Sequence, residues 1–253
     1  MLEMIGVLAI MGILAGALAP NIFQAIDEAY AIAEEENLVA LEDALRTYIL
    51  TNKRIPSASI SDWTAALGEA SAMALSSVTN NRRNYARRLY FDPRFFSPND
   101  SSFTGFTQIQ GLSSAPVSPR LMIVSDLKKN LPVAPTSSAS FDAIWNQSSA
   151  PAVVEGRMLK IQRVNLSDIF HRLVLSNQNT IASAYSIEGG SQSSVPGASG
   201  GLDGEITRYL LSGSKVNLHT APFPTGAVGR SLILRRQTSL RYQTDGANWT
   251  WES

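Results

Sequence analysis

The chain opens with a long apolar run. From Met4 to Ala19 there are 16 residues without a charge or a side-chain hydrogen-bonding group, and the uncharged run reaches Ile26, a total of 23 residues. A helix needs about 20 predominantly apolar residues to cross the hydrocarbon core of a bilayer. The run is therefore long enough to predict a membrane-competent helix.

After the apolar run, the helical periodicity continues but its character changes. Apolar side chains recur every three or four residues, and the acids fall mostly on the other faces of the helix. The recurring positions are Ile22, Ile26, Tyr30, Ala33, Leu41, Leu45 and Tyr48. Glycine and proline are absent from Asn21 to Ile55. We predict one helix over residues 2 to about 53, apolar in its first half and amphipathic in its second, roughly 75 to 80 Å long.

Three residues weaken this helix, and two of them, both glycines, also allow other helices to approach closely. Gly12 and Gly16 permit close backbone contact between helices. Pro20 removes one helical N–H and clashes with the preceding turn. Two outcomes stay open for this segment: a modest kink in a continuous helix, or an extended, melted stretch in an assembly.

The rest of the chain, residues 54 to 253, is predicted to form a globular α+β head domain. A helix is expected from Ser61 to about Ser77, followed by a large loop- and helix-containing insertion at about 78–157. Short runs separated by Gly-, Ser- and Asn-rich turns predict an antiparallel sheet packed on the amphipathic half of the first helix. The predicted strands are Leu121–Val124, Met158–Val164, Phe170–Leu175, Thr180–Ile187, Glu205–Leu211, Ser231–Arg236, Leu240–Tyr242 and Asn248–Trp251.

The charges balance overall but are segregated along the chain. Residues 1–50 hold eight acids and one base, for a net charge of −7, and residues 51–253 have a net charge of +7. One interpretation is a solvated helix face. The other is an interface between copies, for which the candidates are Glu34, Glu35 and Glu36 on the helix and Arg82, Arg83, Arg87 and Arg88 on the head. Zero net charge leads us to expect no nucleic-acid partner.

Residues 80–96 are the most distinctive stretch of the head. Five arginines alternate there with tyrosines and phenylalanines, a composition suited to stacking and to bidentate recognition. Three interpretations stay open: a core contribution with solvated arginines, a contact with a neighbouring subunit, or binding of an external ligand.

Candidates for catalysis and metal binding are weak. No cysteine is present, which excludes disulfides and thiolate chemistry. His171 and His219 are the only histidines, and Asp168 lies near His171 without a nucleophile motif. We predict a protein that is not an enzyme and has no cofactor. Asp203 and Glu205 could supply oxygens to calcium, but calcium takes six to eight, and an ordinary hairpin is the alternative.

The N-terminal segment resembles type IV pilins and type II secretion pseudopilins. The resemblance rests on Leu2-Glu3, on the run MIGVLAIMGILAGALAP, on the Ile10–Ala15 core and on the 17-residue interval from Glu3 to Pro20. Later segments, such as Ser118–Pro132, resemble large pilin-like proteins of environmental bacteria. In this family a leader and about two further residues precede the glutamate, so we expect a longer precursor. The missing cysteine pair shifts the resemblance toward pseudopilins or unusual pilins.

The resemblance implies a structural subunit of a pilus-like or pseudopilus filament. Such a subunit is anchored in the bacterial inner membrane, processed by the prepilin peptidase and polymerised by the pilus or secretion machinery into a periplasmic or extracellular homopolymer. Assembly residues would be Glu3, Gly12, Gly16 and Pro20, with Glu3 pairing with a neighbour's amino terminus or, alternatively, marking the membrane interface. The alternatives are a low-copy pseudopilin, a membrane-anchored adhesin and an envelope hydrolase.

Overall fold

A computed structural model describes residues 2–95, 109–110, 118–128, 131–146, 158–242 and 248–251. In residues 2–18 only the side chain of Met11 and the surroundings of Gly16 are described. Helices and mainly antiparallel sheets are combined in one chain, which confirms the α+β class.

Four helices are described. They are α1 (Leu2–Asn52), α2 (Ile60–Ser71), α3 (Leu75–Thr79) and α4 (Ser138–Trp145). The extent of α1 is as predicted, and it runs without a break through Pro20. The helix expected to reach Ser77 instead ends at Ser71, because Ala72 has a left-handed backbone with φ 55° and α3 starts anew.

Twelve short strands form three sheets within the described residues. The strands are β1 (Arg88–Phe91), β2 (Ile109–Gln110), β3 (Arg120–Asp126), β4 (Leu159–Asn165), β5 (Phe170–Asn177), β6 (Ser183–Ile187), β7 (Ser193–Val195), β8 (Gly204–Leu211), β9 (Lys215–His219), β10 (Val228–Ile233), β11 (Thr238–Tyr242) and β12 (Trp249–Trp251). Their orders are β1-β3-β4, β10-β9-β6-β7 and β12-β11-β5-β8-β2. The pairing of β11 with β5 is parallel, unlike the others.

The amphipathic half of α1 packs beside the sheet β1-β3-β4 and against α2. Leu38, Leu41, Leu45 and Ile49 are buried there together with Trp63 of α2. Their spacing of three and four residues is the stripe that the sequence predicts. The sequence predicts an insertion at residues 78–157, but this segment supplies β1 and β3, two of the three strands of the sheet beside α1. Leu89 of β1 and Ile123 of β3 are buried in the same core as the α1 stripe.

The other two sheets enclose a second core. Leu173 and Leu175 of β5 pack with Tyr185 of β6, Leu218 of β9 and Tyr242 of β11. The sequence predicts one sheet on α1, whereas these strands bury their apolar faces mostly against one another. The sheet-forming part of the head is therefore larger than one helix can cover.

A charged network ties α4 to β1 and β3. Arg120 donates to the fully buried Asp92 at 2.6 and 3.0 Å and to Asp142 at 2.8 Å. Arg94 also donates to Asp142, and the Arg120 guanidinium lies 4.9 Å from the centre of the Trp145 ring. Although burial alone raises the pKa of Asp142, hydrogen bonds from Arg120 and Arg94 lower it overall from its usual 3.8.

This network predicts a pH-dependent stability that Asp142→Asn removes. A lowered pKa in the folded state stabilises the fold above the usual carboxyl pKa, and this contribution is lost as the pH falls through the lowered value. The wild type should therefore melt at a higher temperature than Asp142→Asn near neutral pH. This difference in melting temperature should shrink as the pH falls below about 4. Thermal unfolding followed by circular dichroism measures it.

Glu69→Gln, at an exposed position on α2, is the matched control and should melt like the wild type at neutral pH. A gap for Asp142→Asn that is equally wide at every pH would show that the carboxylate charge does not contribute.

Candidate functional site

The side chains that are described in the first half of α1 are mostly exposed. All residues from Pro20 to Ile26 are exposed, and among the side chains described on this helix Ala31 is the first that is buried. In the described part of the helix, the first contacts with the head are made by Asp27, which pairs with Arg83, and by Tyr30, whose ring centre lies 5.0 Å from the Arg83 guanidinium. The helix thus divides near residue 27 into a projecting part and a docked part.

The projecting part exposes large apolar side chains. The exposed fractions are 62% for Met11, 56% for Ile22, 66% for Phe23 and 44% for Ile26. A contiguous exposed apolar surface on a protein marks a site of contact with another protein or with lipid. Among the helix residues whose side chains are described, no stretch is both long enough and apolar enough to cross a membrane.

The predicted assembly residues all lie on α1. Pro20 is exposed, and a Cβ added at Gly16 would meet nothing within 4 Å, so this glycine leaves room for a neighbour. The surroundings of Glu3 and Gly12 lie outside the described residues.

The docked part of α1 contains a fully buried ion pair. Glu34 and Arg87 each expose only 1% of their side chains. Arg87 donates from Nε to Glu34 Oε1 at 2.6 Å and from Nη2 to Oε2 at 2.8 Å. Its Nη1 donates to the carbonyl oxygens of Ser77, Val78 and Asn80 at 2.6 to 3.0 Å, at the end of α3. One guanidinium therefore joins α1, α3 and the start of β1.

Further acids of α1 also pair within the chain. Lys160 Nζ donates to Glu35 Oε1 at 2.5 Å, and Arg83 binds Asp27. Lys160 was not a sequence candidate, because 125 residues separate it from Glu35 and only the tertiary fold brings them together.

These contacts give several residues of the predicted interface between copies a partner inside the chain. Glu34, Arg83 and Arg87 are paired inside one chain, because α1 lies against the segment that carries the arginines. Glu35 is paired with Lys160, but 54% of its side chain stays exposed. Of the remaining candidates, Glu36 and Arg82 are exposed. Arg88 is half-buried, and its Nη1 donates to the carbonyl of Arg87 at 3.2 Å. Only the exposed residues of this set are open to a neighbour.

The aromatic side chains described in residues 80–96 serve mainly the core. Tyr90 is buried and donates to the carbonyl of Pro132 at 2.7 Å, and burial raises its pKa. Phe95 is buried edge-on against Tyr209, with ring centres 5.0 Å apart. Phe96 lies outside the described residues. The core interpretation therefore holds for Tyr90 and Phe95.

The histidines and Asp168 do not form an open catalytic site in the described residues. Both oxygens of Asp168 accept from Arg46 at 2.8 Å, and His171 lies half-buried on β5. His219 Nε2 is 3.0 Å from Ser186 Oγ, and its Nδ1 is 3.2 Å from the carbonyl oxygen of Gly226. Only 3% of Ser186 and 6% of His219 are exposed, so this pair is closed to a substrate.

Asp203 and Glu205 do not converge on a cation. Asp203 lies 3.5 Å from Arg241 in an ion pair, and Glu205 is exposed at the start of β8. In the described part of the chain, no group of three or more metal-ligating side chains is present.

Comparison with protein-family models, curated proteins and solved structures finds no match for this chain.

The buried pair predicts a large loss of stability in Glu34→Ala. Removing one partner leaves the Arg87 charge buried without its carboxylate, a change that costs about 3 to 5 kcal/mol in comparable sites. Urea unfolding followed by tryptophan fluorescence measures it, because Trp63 is buried in the core beside α1.

Glu36→Ala is the control, since this acid is exposed two residues away, and it should change the free energy of unfolding by no more than about 0.5 kcal/mol. Equal effects of the two substitutions would show that the buried pair does not hold α1 to the head.

Proposed function

We propose that this chain is a structural subunit of a type IV pilus-like or pseudopilus helical filament, anchored in a membrane before assembly and polymerised through α1. The observation that carries the proposal is the division of α1. One face of its second half is buried against the head, while Met11, Ile22, Phe23 and Ile26 of its first half are exposed. The N-terminal resemblance to pilins points to the same use of this helix.

The exposed apolar surface needs an environment other than water. Burying apolar surface contributes about 25 cal/mol per Å², so a projecting apolar helix is stabilised wherever water is excluded. A bilayer offers this before assembly, and a bundle of such helices offers it in a filament. One segment then suits both states, and the uncharged run from Met4 to Ile26 is long enough for the first.

Within this proposal Glu3 sets the register between subunits. A carboxylate inside an apolar bundle is costly unless it is paired, and the free amino terminus of a neighbour is the partner implied by the resemblance. The subunit itself does no chemistry. Its partners are other copies of the chain, the inner membrane before assembly, the prepilin peptidase and the assembly machinery.

Glu3→Ala tests this role. The substitution should block or strongly slow filament formation and leave membrane insertion intact, because the apolar run becomes more favourable in lipid. Filament yield by sedimentation and membrane content by fractionation are measured together. Glu28→Ala, an exposed acid outside the apolar run, is the control and should assemble normally. A normal filament yield from Glu3→Ala would remove this residue from the mechanism.

Electron microscopy of surface material from cells tests the class of filament. Long filaments built solely of this chain indicate a major pilin, whereas trace incorporation into filaments of another subunit indicates a low-copy pseudopilin. A chain that stays in the membrane under all conditions of expression would contradict the filament proposal and favour an anchored adhesin.

A further inference from the structure

The docked half of α1 carries a second stripe that faces away from the head. Ile32, Val39 and Leu50 are about half exposed, at 53%, 49% and 50%. Glu36 and Asp43 lie between them and are exposed. Residues spaced by three, four and seven positions share one face of a helix, so these five form a single surface, which we name the solvent stripe. Within the described residues, no base pairs with Glu36 or Asp43.

A complementary surface lies on β10 and next to it. Val228, Ile233 and Trp251 are more than half exposed, at 55%, 56% and 53%. Arg235 and Arg236 follow β10 after the buried Leu234, and both are exposed. The sequence from Val228 to Tyr242 contains no acid. We name these five residues the β10 edge.

The β10 edge has two properties of a contact surface. β10 is the end strand of its sheet and pairs with β9 alone, so one side of its backbone has no neighbouring strand in the described residues. Arg230 lies 4.7 Å from the centre of the exposed Trp251 ring and donates to the carbonyl of Trp249 at 2.9 Å. Tryptophan and arginine are the side chains most enriched among the residues that dominate the energy of protein interfaces.

The two surfaces match each other in chemistry. The solvent stripe combines apolar side chains with acids, and the β10 edge combines apolar side chains with arginines. Arg46 is the one base in the sequence of α1, and its guanidinium is held by Glu42 and Asp168. Apolar contact would then supply most of the affinity, while the charges orient the partner.

The occupant that fits is a second copy of this chain. Within one subunit α1 packs against α2 and the sheet β1-β3-β4, whereas β10 belongs to another sheet. We propose that the solvent stripe of one subunit docks on the β10 edge of the next. A contact between two different surfaces of identical subunits repeats without closing unless its rotation closes a ring. The inference rests on the proposed filament, and it names the surfaces through which α1 of one subunit contacts the head of the next.

Cysteine cross-linking tests the contact directly, because the natural sequence contains no cysteine. Full-length Val39→Cys and Ile233→Cys, one of them carrying a mass tag, are mixed in detergent and treated with a short bis-maleimide. A product of mixed mass is expected in several-fold excess over the product from Val39→Cys with Val133→Cys. Val133 is 88% exposed and belongs to neither surface, so it reports random collision.

Charge exchange tests whether the stripe and the edge recognise each other. Cross-linking should fall when Glu36 and Asp43 are changed to arginine in the first protein, or Arg235 and Arg236 to glutamate in the second. It should recover when both changes are combined. Failure to recover would show that these charges do not face each other.

The outcomes separate this contact from the filament itself. Equal yields with Ile233→Cys and Val133→Cys, or a product dominated by Val39→Cys homodimers, would overturn the docking proposal even where filaments form. Specific cross-linking of Val39→Cys to Ile233→Cys without filaments in any preparation would support the contact and overturn the filament proposal.

Discussion

The buried ion pair of Glu34 and Arg87 is the constraint that determines how α1 is oriented on the head. Two charges removed from water are costly, and only good geometry and full hydrogen bonding offset that cost. Both conditions hold here, since the carboxylate accepts two bonds and the third guanidinium nitrogen is held by carbonyls at the end of α3. Any rotation of α1 about its own axis would break these bonds and leave an unpaired buried charge. An apolar stripe alone would tolerate small rotations better. The ion pair therefore fixes which face of α1 points to the head and which face stays free.

From that constraint follows the division of one helix between two environments. Beyond Tyr30, every turn of α1 has side chains against the head, as with Ala31 and Leu38. Before Asp27, the described side chains from Pro20 to Ile26 are all exposed in the isolated chain. A helix that is apolar all round is stable only inside a protein or a membrane. The projecting part is thus incomplete by itself, and its folding is completed by whatever excludes water around it.

The sequence predicts periodic elements well and pairings between distant residues poorly. The extent of α1 and the positions of β3, β4, β5 and β8 follow from apolar spacing. The sequence does not predict β1, because its residues RLYF lie among arginines that suggest a surface, although Arg87 is buried and Leu89 is in the core. The sequence likewise suggests a solvated face or an interface between copies for Glu34, because this residue lies in a run of acids. A charged residue can be identified as buried only when its partner is known, and the partner here is 53 residues away.

The segregation of charge along the chain is largely satisfied inside the subunit. Asp27, Glu34, Glu35 and Glu42 each have a basic partner in the same chain, and Glu28, Glu36 and Asp43 are exposed acids of α1 for which the described residues supply no basic partner. The buried pair of Glu34 and Arg87 is hardly screened by salt, whereas exposed acids interact with other molecules only within a Debye length of about 8 to 10 Å. Salt would therefore act on contacts between subunits and leave the docking of α1 on its own head intact. The acidic helix and the basic head thus pair first within one chain, and in the proposed filament the exposed charges that remain would guide the approach of the next subunit.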